Sequence, residues 1–305
     1  MERRDFLKRS ILTGASISLG GSLMAAAIPS PARSRKITIL HTNDIHSRIE
    51  PFPNDGGRNA NQGGMTKLAS VIQKIRREED NILLLDAGDI FQGTPYFNFY
   101  GGELELRLMN EMGYDASTLG NHEFDNGMKG ILDQIPNAGF GFISSNYDFS
   151  QTILNNVFLP YKIFRKNGIK IGVFGVGIEL QGLVASKNYG DTKYLDPVTV
   201  SREMVQELKS KNCDLIICLS HLGHSYQSKK IDDLKLAAQV EGIDLIIGGH
   251  THTFLDEPKL IIGPQGFTTV VNQSGTGALR LGKVDFEFTK ENRINYASSQ
   301  NLPIY

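Results

Sequence analysis

From Arg35 onward, short runs of apolar residues alternate with stretches in which apolar positions recur every three or four residues. The runs "KITIL" (36–40), "NILLLD" (81–86), "DASTL" (115–119), "DLIICLS" (214–220) and "DLIIGG" (244–249) are continuous, as in strands covered on both faces. Met65, Leu68, Ile72 and Ile75 mark one helical stripe, Leu104, Leu108 and Met112 a second, and Met204, Val205 and Leu208 a third. Met and Leu at that period predict core rather than a cofactor lining. "YKIFRKNGIKIGVFGV" (161–176) predicts a hairpin around Asn167-Gly168, a dipeptide that tolerates positive φ at both turn positions. A second antiparallel pair is predicted between Thr268–Val271 and Leu279–Phe288, joined across Ser274 to Gly277. Strands alternating with helices define an α/β domain with a mixed sheet system. The polar end "KENRINYASSQNLPIY" is too short for another domain, so a single domain is predicted over 33–290, with a short tail over 291–305.

Composition adds limits. A chain of 305 residues with 40% hydrophobic content buries a substantial core, and a formal charge of −1 supplies no long-range field to gather duplex nucleic acid or an anionic membrane. The N-terminus is different in kind. "MERRDFLKRS" places paired arginines before a small-residue, weakly apolar run to Ile28, and it resembles a twin-arginine export signal. Residues 1–32 are therefore read as a signal peptide. Their removal takes away Arg3, Arg4, Lys8 and Arg9 against Glu2 and Asp5, lowering the charge by two, to −3. The competing reading is an uncleaved membrane anchor, weakened by Gly14, Gly20, Gly21 and the serines of the same run; no stable membrane insertion is expected after cleavage. Cys213 and Cys218 flank one predicted strand at a separation of roughly 17 Å on opposite faces, too far to bridge. An exported protein without disulfides fits a route that carries folded cargo.

The chemistry gathers where the apolar runs stop. "HTNDIH" follows the first, with Asp44 and His46; "AGD" the second, with Asp89; and "GNHEFD" the third, with Asn121, His122 and Asp125. "SHLGH" follows the fourth, with His221, and "GGHTH" the fifth, with His250 and His252. All seven histidines lie in or beside these segments. In α/β sheets the carboxyl ends of neighbouring strands open onto one crevice, so groups distant in sequence converge there. Two aspartates, an asparagine and four histidines are an oxygen and nitrogen ligand set for two divalent ions of the Zn, Mn, Fe or Co type, and the absence of Cys argues against a purely structural zinc site. Two such ions carry four positive charges and the two carboxylates return two. The filled site stays cationic and suits a small anionic substrate.

These motifs resemble the calcineurin-like metallophosphoesterase superfamily, in particular the catalytic domain of 5′-nucleotidases and UDP-sugar hydrolases, with "ITILHTNDIH", "DAGDIFQGTPYFNFYGGE", "GYDASTLGNHEFDNG", "SHLGH" and "GGHTHT" in family order. The resemblance implies a four-layer αββα sandwich of two mixed sheets. It implies that Asp44, His46 and His252 hold one ion, Asn121, His221 and His250 the other, and that Asp89 bridges them. It makes His122 the group facing the phosphoryl and leaving oxygens, oriented by Asp125. Two metals about 3.5 to 4 Å apart activate a water and stabilise charge on the attacking and leaving oxygens, which is the hydroxide attack this reading expects.

The implied activity is an exported dimetal phosphatase acting on phosphate monoesters, 5′-nucleotides or related compounds. A phosphodiesterase acting on 2′,3′-cyclic nucleotides or nucleotide sugars, and a non-catalytic metal-binding subunit of an exported complex, are the alternatives. Two-domain members of the family carry a C-terminal nucleoside clamp that this sequence is expected to lack; relaxed specificity, or a separate exported nucleoside-binding subunit, is expected instead. Four further residues are read as supporting: Asp86 bonding loop backbone, Glu123 pointing away from the ions, and His41 and His224 behind the ligands. Arg58 is read as a solvated loop residue.

Overall fold

Alternation along the strands sorts their side chains into separate layers. The computed structural model describes residues 35–305, so the signal segment read in residues 1–32 lies outside the described residues. In chain order the elements are β1 (Arg35–Thr42), α1 (Met65–Glu78), β2 (Ile82–Asp86), α2 (Pro95–Tyr100), α3 (Glu103–Met112), β3 (Ala116–Thr118), α4 (Gly127–Gln134), β4 (Gly141–Ile143), β5 (Tyr147–Asp148), β6 (Tyr161–Lys166) and β7 (Ile169–Gly177). There follow α5 (Ser186–Tyr189), β8 (Lys193–Tyr194), α6 (Pro197–Ser210), β9 (Leu215–His221), α7 (Asp233–Gln239), β10 (Leu245–Gly248), β11 (Lys259–Ile262), β12 (Thr268–Asn272), β13 (Arg280–Phe288) and β14 (Ile294–Pro303).

Two six-stranded sheets result, ordered β14-β13-β1-β2-β3-β4 and β11-β12-β10-β9-β7-β6, beside a small pair of β5 and β8. Each large sheet has four parallel strands: in the first, β1 to β4 run to one edge and β13 and β14 add by antiparallel pairing on the other side, while in the second β12, β10, β9 and β7 lie between antiparallel β11 and β6, so both are mixed. Ile37, Ile39, Leu83 and Leu85 of the first sheet meet Ile171, Ile217, Leu219 and Leu245 of the second in one buried cluster. The intervening positions point outward. Leu40 and Leu84 pack under Leu68 and Ile72 of α1 and Met109 of α3, while Ile216, Cys218 and Ile246 pack under Val205 and Leu208 of α6 and Leu236 of α7. Helix, sheet, sheet and helix form four layers, the αββα sandwich that the resemblance implied. Burial of each large aliphatic side chain in them stabilises the fold by about 1.5–3 kcal/mol.

The Asn167-Gly168 hairpin forms between β6 and β7, with φ of 50° and 77° at the two turn positions. Four other expectations are corrected. β12 and β13 do not pair: β12 lies parallel to β10 in the second sheet, whereas β13 lies antiparallel to β1 in the first. The glycine-rich segment between them crosses from sheet to sheet, and it is tied there because the Gly277 N–H donates to the Asp44 carbonyl at 2.8 Å. Residues 291–305 are more than a tail, since β14 pairs with β13 from Arg280↔Pro303 onward and Ile304 is fully buried. Its polar composition is that of an edge strand with a solvent face. On α3 the buried face is Glu105, Leu106, Met109 and Met112, with Leu104 and Leu108 only partly covered. Glu105 turns inward because its carboxylate accepts a 2.5 Å hydrogen bond from the Ser47 hydroxyl. Cys213 and Cys218 are free, and both pack against the α6 side of the second sheet; Cys213 precedes β9, so strand alternation does not apply to it.

His41 sits between the sheets on β1, opposite Gly282, where an added Cβ would lie 2.0 Å from its ring. Its Nε2 accepts from the Asn272 amide at 3.0 Å, and complete burial pushes it down to about 3. The unfolded chain takes up this proton near pH 6.5 and the folded chain does not, so stability present at neutral pH is lost as pH falls below that value. Between pH 7.5 and 5 the loss from this residue is about 2 kcal/mol. His41→Gln keeps an acceptor for Asn272 but cannot be protonated, and urea unfolding of the variant at the two pH values, with chelator present, is expected to show that much less acid destabilisation. An unchanged difference would refute the assignment.

Candidate metal centre

β1 and β2 end side by side at Thr42↔Asp86, and the segments that follow them stay paired through backbone hydrogen bonds. Ala87 N–H donates to the Thr42 carbonyl (3.0 Å), Asp44 N–H to Gly88 (2.9 Å), His46 N–H to Asp89 (3.0 Å) and Ser47 N–H to Ile90 (2.8 Å). Within this ladder Asp44, His46, Ser47 and Asp89 adopt left-handed backbone, with φ of 51°, 52°, 54° and 55°. His250 and His252 do so as well, at 72° and 51°. For residues with a Cβ this costs roughly 1 kcal/mol or more each, so the conformation persists only where the surroundings impose it. Such strain concentrates at functional sites.

The segments after β2 and β3 also meet backbone to backbone. A Cβ on Gly88 would lie 2.5 Å from the Gly120 nitrogen, and one on Gly120 would lie 2.2 Å from Asp89 Oδ1. Glycine at both places lets the Asn121–His122 turn close over Asp89, whose Oδ1 accepts from the His122 N–H at 2.8 Å.

The polar clusters after all five strands thereby converge. Asp44, His46 and His252 present ligand atoms to one another, as do Asp89, His221 and His250, and as do His46, Asp89 and His122. His46 Nε2 lies 2.8 Å from His252 Nε2 and 3.8 and 3.9 Å from carboxylate oxygens of Asp44 and Asp89. His221 Nε2 lies 3.0 Å from Asp89 Oδ2, and His250 Nδ1 lies 2.8 Å from Asn121 Oδ1. Asp44 is oriented by the His250 N–H on both oxygens (3.0 Å each) and by the Asn43 amide on Oδ2 (2.7 Å). His221 is fully buried, while His122 and His252 keep 32% and 42% of their side chains exposed, so the cluster opens to solvent past those two.

The donor set fits cations. The Nδ1–H of His221 donates to the Ala87 carbonyl (2.7 Å) and that of His46 to Gln92 (3.1 Å), which leaves each Nε2 as a bare lone pair facing other lone pairs. His221 Nε2 is fully buried and faces Asp89 Oδ2 at 3.0 Å. A positive charge must sit among such atoms. In the metal-free chain a proton serves: burial disfavours charge on His221, yet Asp89 overrides it and raises the ring to about 10. His250 is driven the other way, to about 4, by burial and by the charge on His221. Burial also lowers His46, whereas the bond to Asp44 raises His252. A bound metal would displace these protons.

His122 and Asp125 stand at the rim. His122 Nδ1 donates to Asp125 Oδ2 at 2.7 Å, its ring meets that of His46 edge-on with centroids 5.1 Å apart, and the bond to Asp125 raises its pKa. Asp86 bonds loop backbone, accepting from Gly88 N–H (2.9 Å) and from the Thr42 and Ser117 hydroxyls. Glu123 points away from the cluster and accepts backbone N–H groups beneath it. His224 is tied through its backbone N–H to the Thr251 hydroxyl. Arg58 lines a cavity of about 330 Å³ with Phe254 and Arg280. Sequence reasoning missed Asn43, which joins Asp44 to the crossing segment through Gly275 and Ser274; its place inside "HTNDIH" was the available signal.

Comparison with known proteins agrees with the fold. The calcineurin-like phosphoesterase family matches residues 37–254. The 5′-nucleotidase of Rattus norvegicus is 38% identical over 294 residues, covering 90% of this chain and 50% of the relative. The structure of a 5′-nucleotidase precursor from Thermus thermophilus superposes with a TM-score of 0.81 at 31% identity, covering 88% of this chain and 55% of that one. A Haemophilus influenzae NAD nucleotidase follows at 0.77 and 29%, covering 88% and 50%. The chain spans about half the length of the curated relatives it matches.

The raised pKa of His122 depends on its bond to Asp125. Asp125→Asn is expected to move the midpoint of the His122 ring, followed by NMR in the metal-free protein, to lower pH; a midpoint that stays or rises contradicts this.

Proposed function

This chain belongs to the calcineurin-like phosphoesterase family, and from that premise we propose that it is an exported, metal-dependent hydrolase of phosphate monoesters, 5′-nucleotides or close relatives of them. Asp44, His46 and His252 hold one divalent ion, Asn121, His221 and His250 a second, and Asp89 is shared. When bound, such a pair supplies an activated water and Lewis-acid stabilisation of the phosphoryl oxygens. The chain's own residues do the remainder. The Nδ1–H bond to Asp125 leaves His122 Nε2 free for substrate, and His122 stands beside His46 and Asp89 at the rim of the cluster. His122 thus delivers a proton to the departing oxygen, with Asp125 setting ring orientation and tautomer. The ladder between the segments after β1 and β2 keeps Asp44, His46 and Asp89 in place before substrate arrives.

The observation that carries the reading is a carboxylate-oriented histidine at the open rim of a histidine–aspartate cluster, which an ester hydrolase uses and a metal store does not need. Export is supported by the paired arginines and small-residue run of residues 1–32; no helix among the described residues is long and apolar enough to cross a membrane. The likeness to an NAD nucleotidase supports a second reading, attack on a diester or anhydride between phosphates.

The test is a substrate panel on metal-loaded protein: p-nitrophenyl phosphate and AMP as monoesters, bis-p-nitrophenyl phosphate, a 2′,3′-cyclic nucleotide and NAD for the alternative. Monoester hydrolysis that chelator abolishes is expected, and His122→Ala should lower kcat by about 10²–10⁴-fold with metal content unchanged. No phosphate released from any ester sinks the proposal; loss of metal from His122→Ala would show that His122 is a ligand.

A further inference from the structure

The turn that sends Asn121 and His122 toward the cluster sends Glu123 the opposite way. Its side chain is buried, and its two oxygens collect four backbone N–H groups. Oε1 accepts from Ile90 (2.8 Å) and Phe91 (3.3 Å), and Oε2 accepts from Asp89 (3.0 Å) and Gly120 (2.6 Å). The donors belong to two separate segments, one following β2 and the other following β3. Four amide dipoles aimed at one point repel each other unless an acceptor with lone pairs on every side sits among them. A carboxylate meets that demand on both oxygens; a carboxamide meets it on one and points N–H at N–H on the other.

We infer that Glu123 is the positioning residue for the shared carboxylate of Asp89, a role that rests on the two-ion reading given above. Its bonds fasten the Asp89 backbone, held at φ 55°, to Gly120 at the closest approach of the two segments. Asp89 Oδ1 is thereby kept on the His122 N–H (2.8 Å) and Oδ2 is left to face His221 Nε2 (3.0 Å). Because both ions share Asp89, a loosened Asp89 weakens both. A brace acting on only one of the outer ligands would weaken a single ion.

The experiment compares the full chain with Glu123→Gln, using Mn²⁺ as the probe. Calorimetric titration reads stoichiometry and affinity, and electron paramagnetic resonance of the loaded protein reads the magnetic coupling of two ions joined through a shared carboxylate. The wild-type chain is expected to bind two coupled ions. Glu123→Gln is expected to unfold cooperatively yet to bind both ions at least about tenfold more weakly, with the coupled signal lost. Glu123→Asp, which keeps the charge but withdraws it by a methylene, should recover part of the affinity. A merely structural role would lower the unfolding midpoint and leave stoichiometry and coupling alone, and that result overturns the inference while the two-ion reading survives. A wild-type chain that binds no coupled pair overturns the two-ion reading and the inference together. If Glu123→Gln fails to fold, Gly120→Ala decides: it pushes a methyl group toward Asp89 Oδ1 with Glu123 in place, and folded protein with wild-type affinity and coupling counts against the clamp.

Discussion

A ladder of backbone hydrogen bonds continues past the ends of β1 and β2, and the site depends on it. Where parallel strands normally separate into loops, these two segments remain in register for several residues while their backbone turns left-handed. The turned conformation is unfavourable for Asp44, His46, Ser47 and Asp89 taken singly. Collectively they are held, since relaxing one residue would break ladder bonds on both sides of it. The arrangement places Asp44, His46 and Asp89 within reach of one another with no dependence on long, mobile side-chain arms, which is how a site of several short ligands keeps its shape.

Buried carboxyl groups brace this ladder and its neighbours from beneath. Asp86 accepts from Gly88, Glu105 from Ser47, and Asp233 from the Ser220 hydroxyl immediately before His221. Burial raises the pKa of Asp86 to about 7 and pushes Glu105 and Asp233 upward as well. Each accepts a buried N–H or hydroxyl beside the cluster, although one oxygen of Glu105 and one of Asp233 have no partner. A cation bound at the cluster would act on these carboxyl groups through a poorly screened interior and favour their ionised form.

Much of this was legible in the sequence, for identifiable reasons. Continuous apolar runs revealed the buried central strands, and polar clusters after each run revealed the crevice, because a chain leaving a covered strand has no local need for so many His, Asp and Asn residues. The Asn167-Gly168 turn was legible from backbone preference alone. The pairing of β12 and β13 was not, because a glycine-rich link reads the same whether it reverses within one sheet or steps between two. Nor was β14, whose mixed composition reflects one face only, nor the inward turn of Glu105, since helical period marks apolar faces and is silent about a carboxylate that finds a buried hydroxyl. The sequence implies that Glu123 turns away from the ligands, but no pattern along the chain marks the backbone N–H groups of two separate segments that it turns toward.

The two large sheets contribute unequally but jointly to the cluster. Asp44, His46, Asp89 and Asn121 extend from the first, whereas His221, His250 and His252 extend from the second. On the proposed assignment each ion draws ligands from both halves of the sandwich, and so acts as a rivet across the seam at the strands' carboxyl ends. Elsewhere that seam is closed mainly by apolar contact, which slides more readily than a coordination bond. Hydrogen bonds of the chain already cross the seam there, from the His250 N–H to Asp44 and from His221 Nδ1–H to the Ala87 carbonyl, so bound ions would reinforce a mouth that the protein itself holds closed.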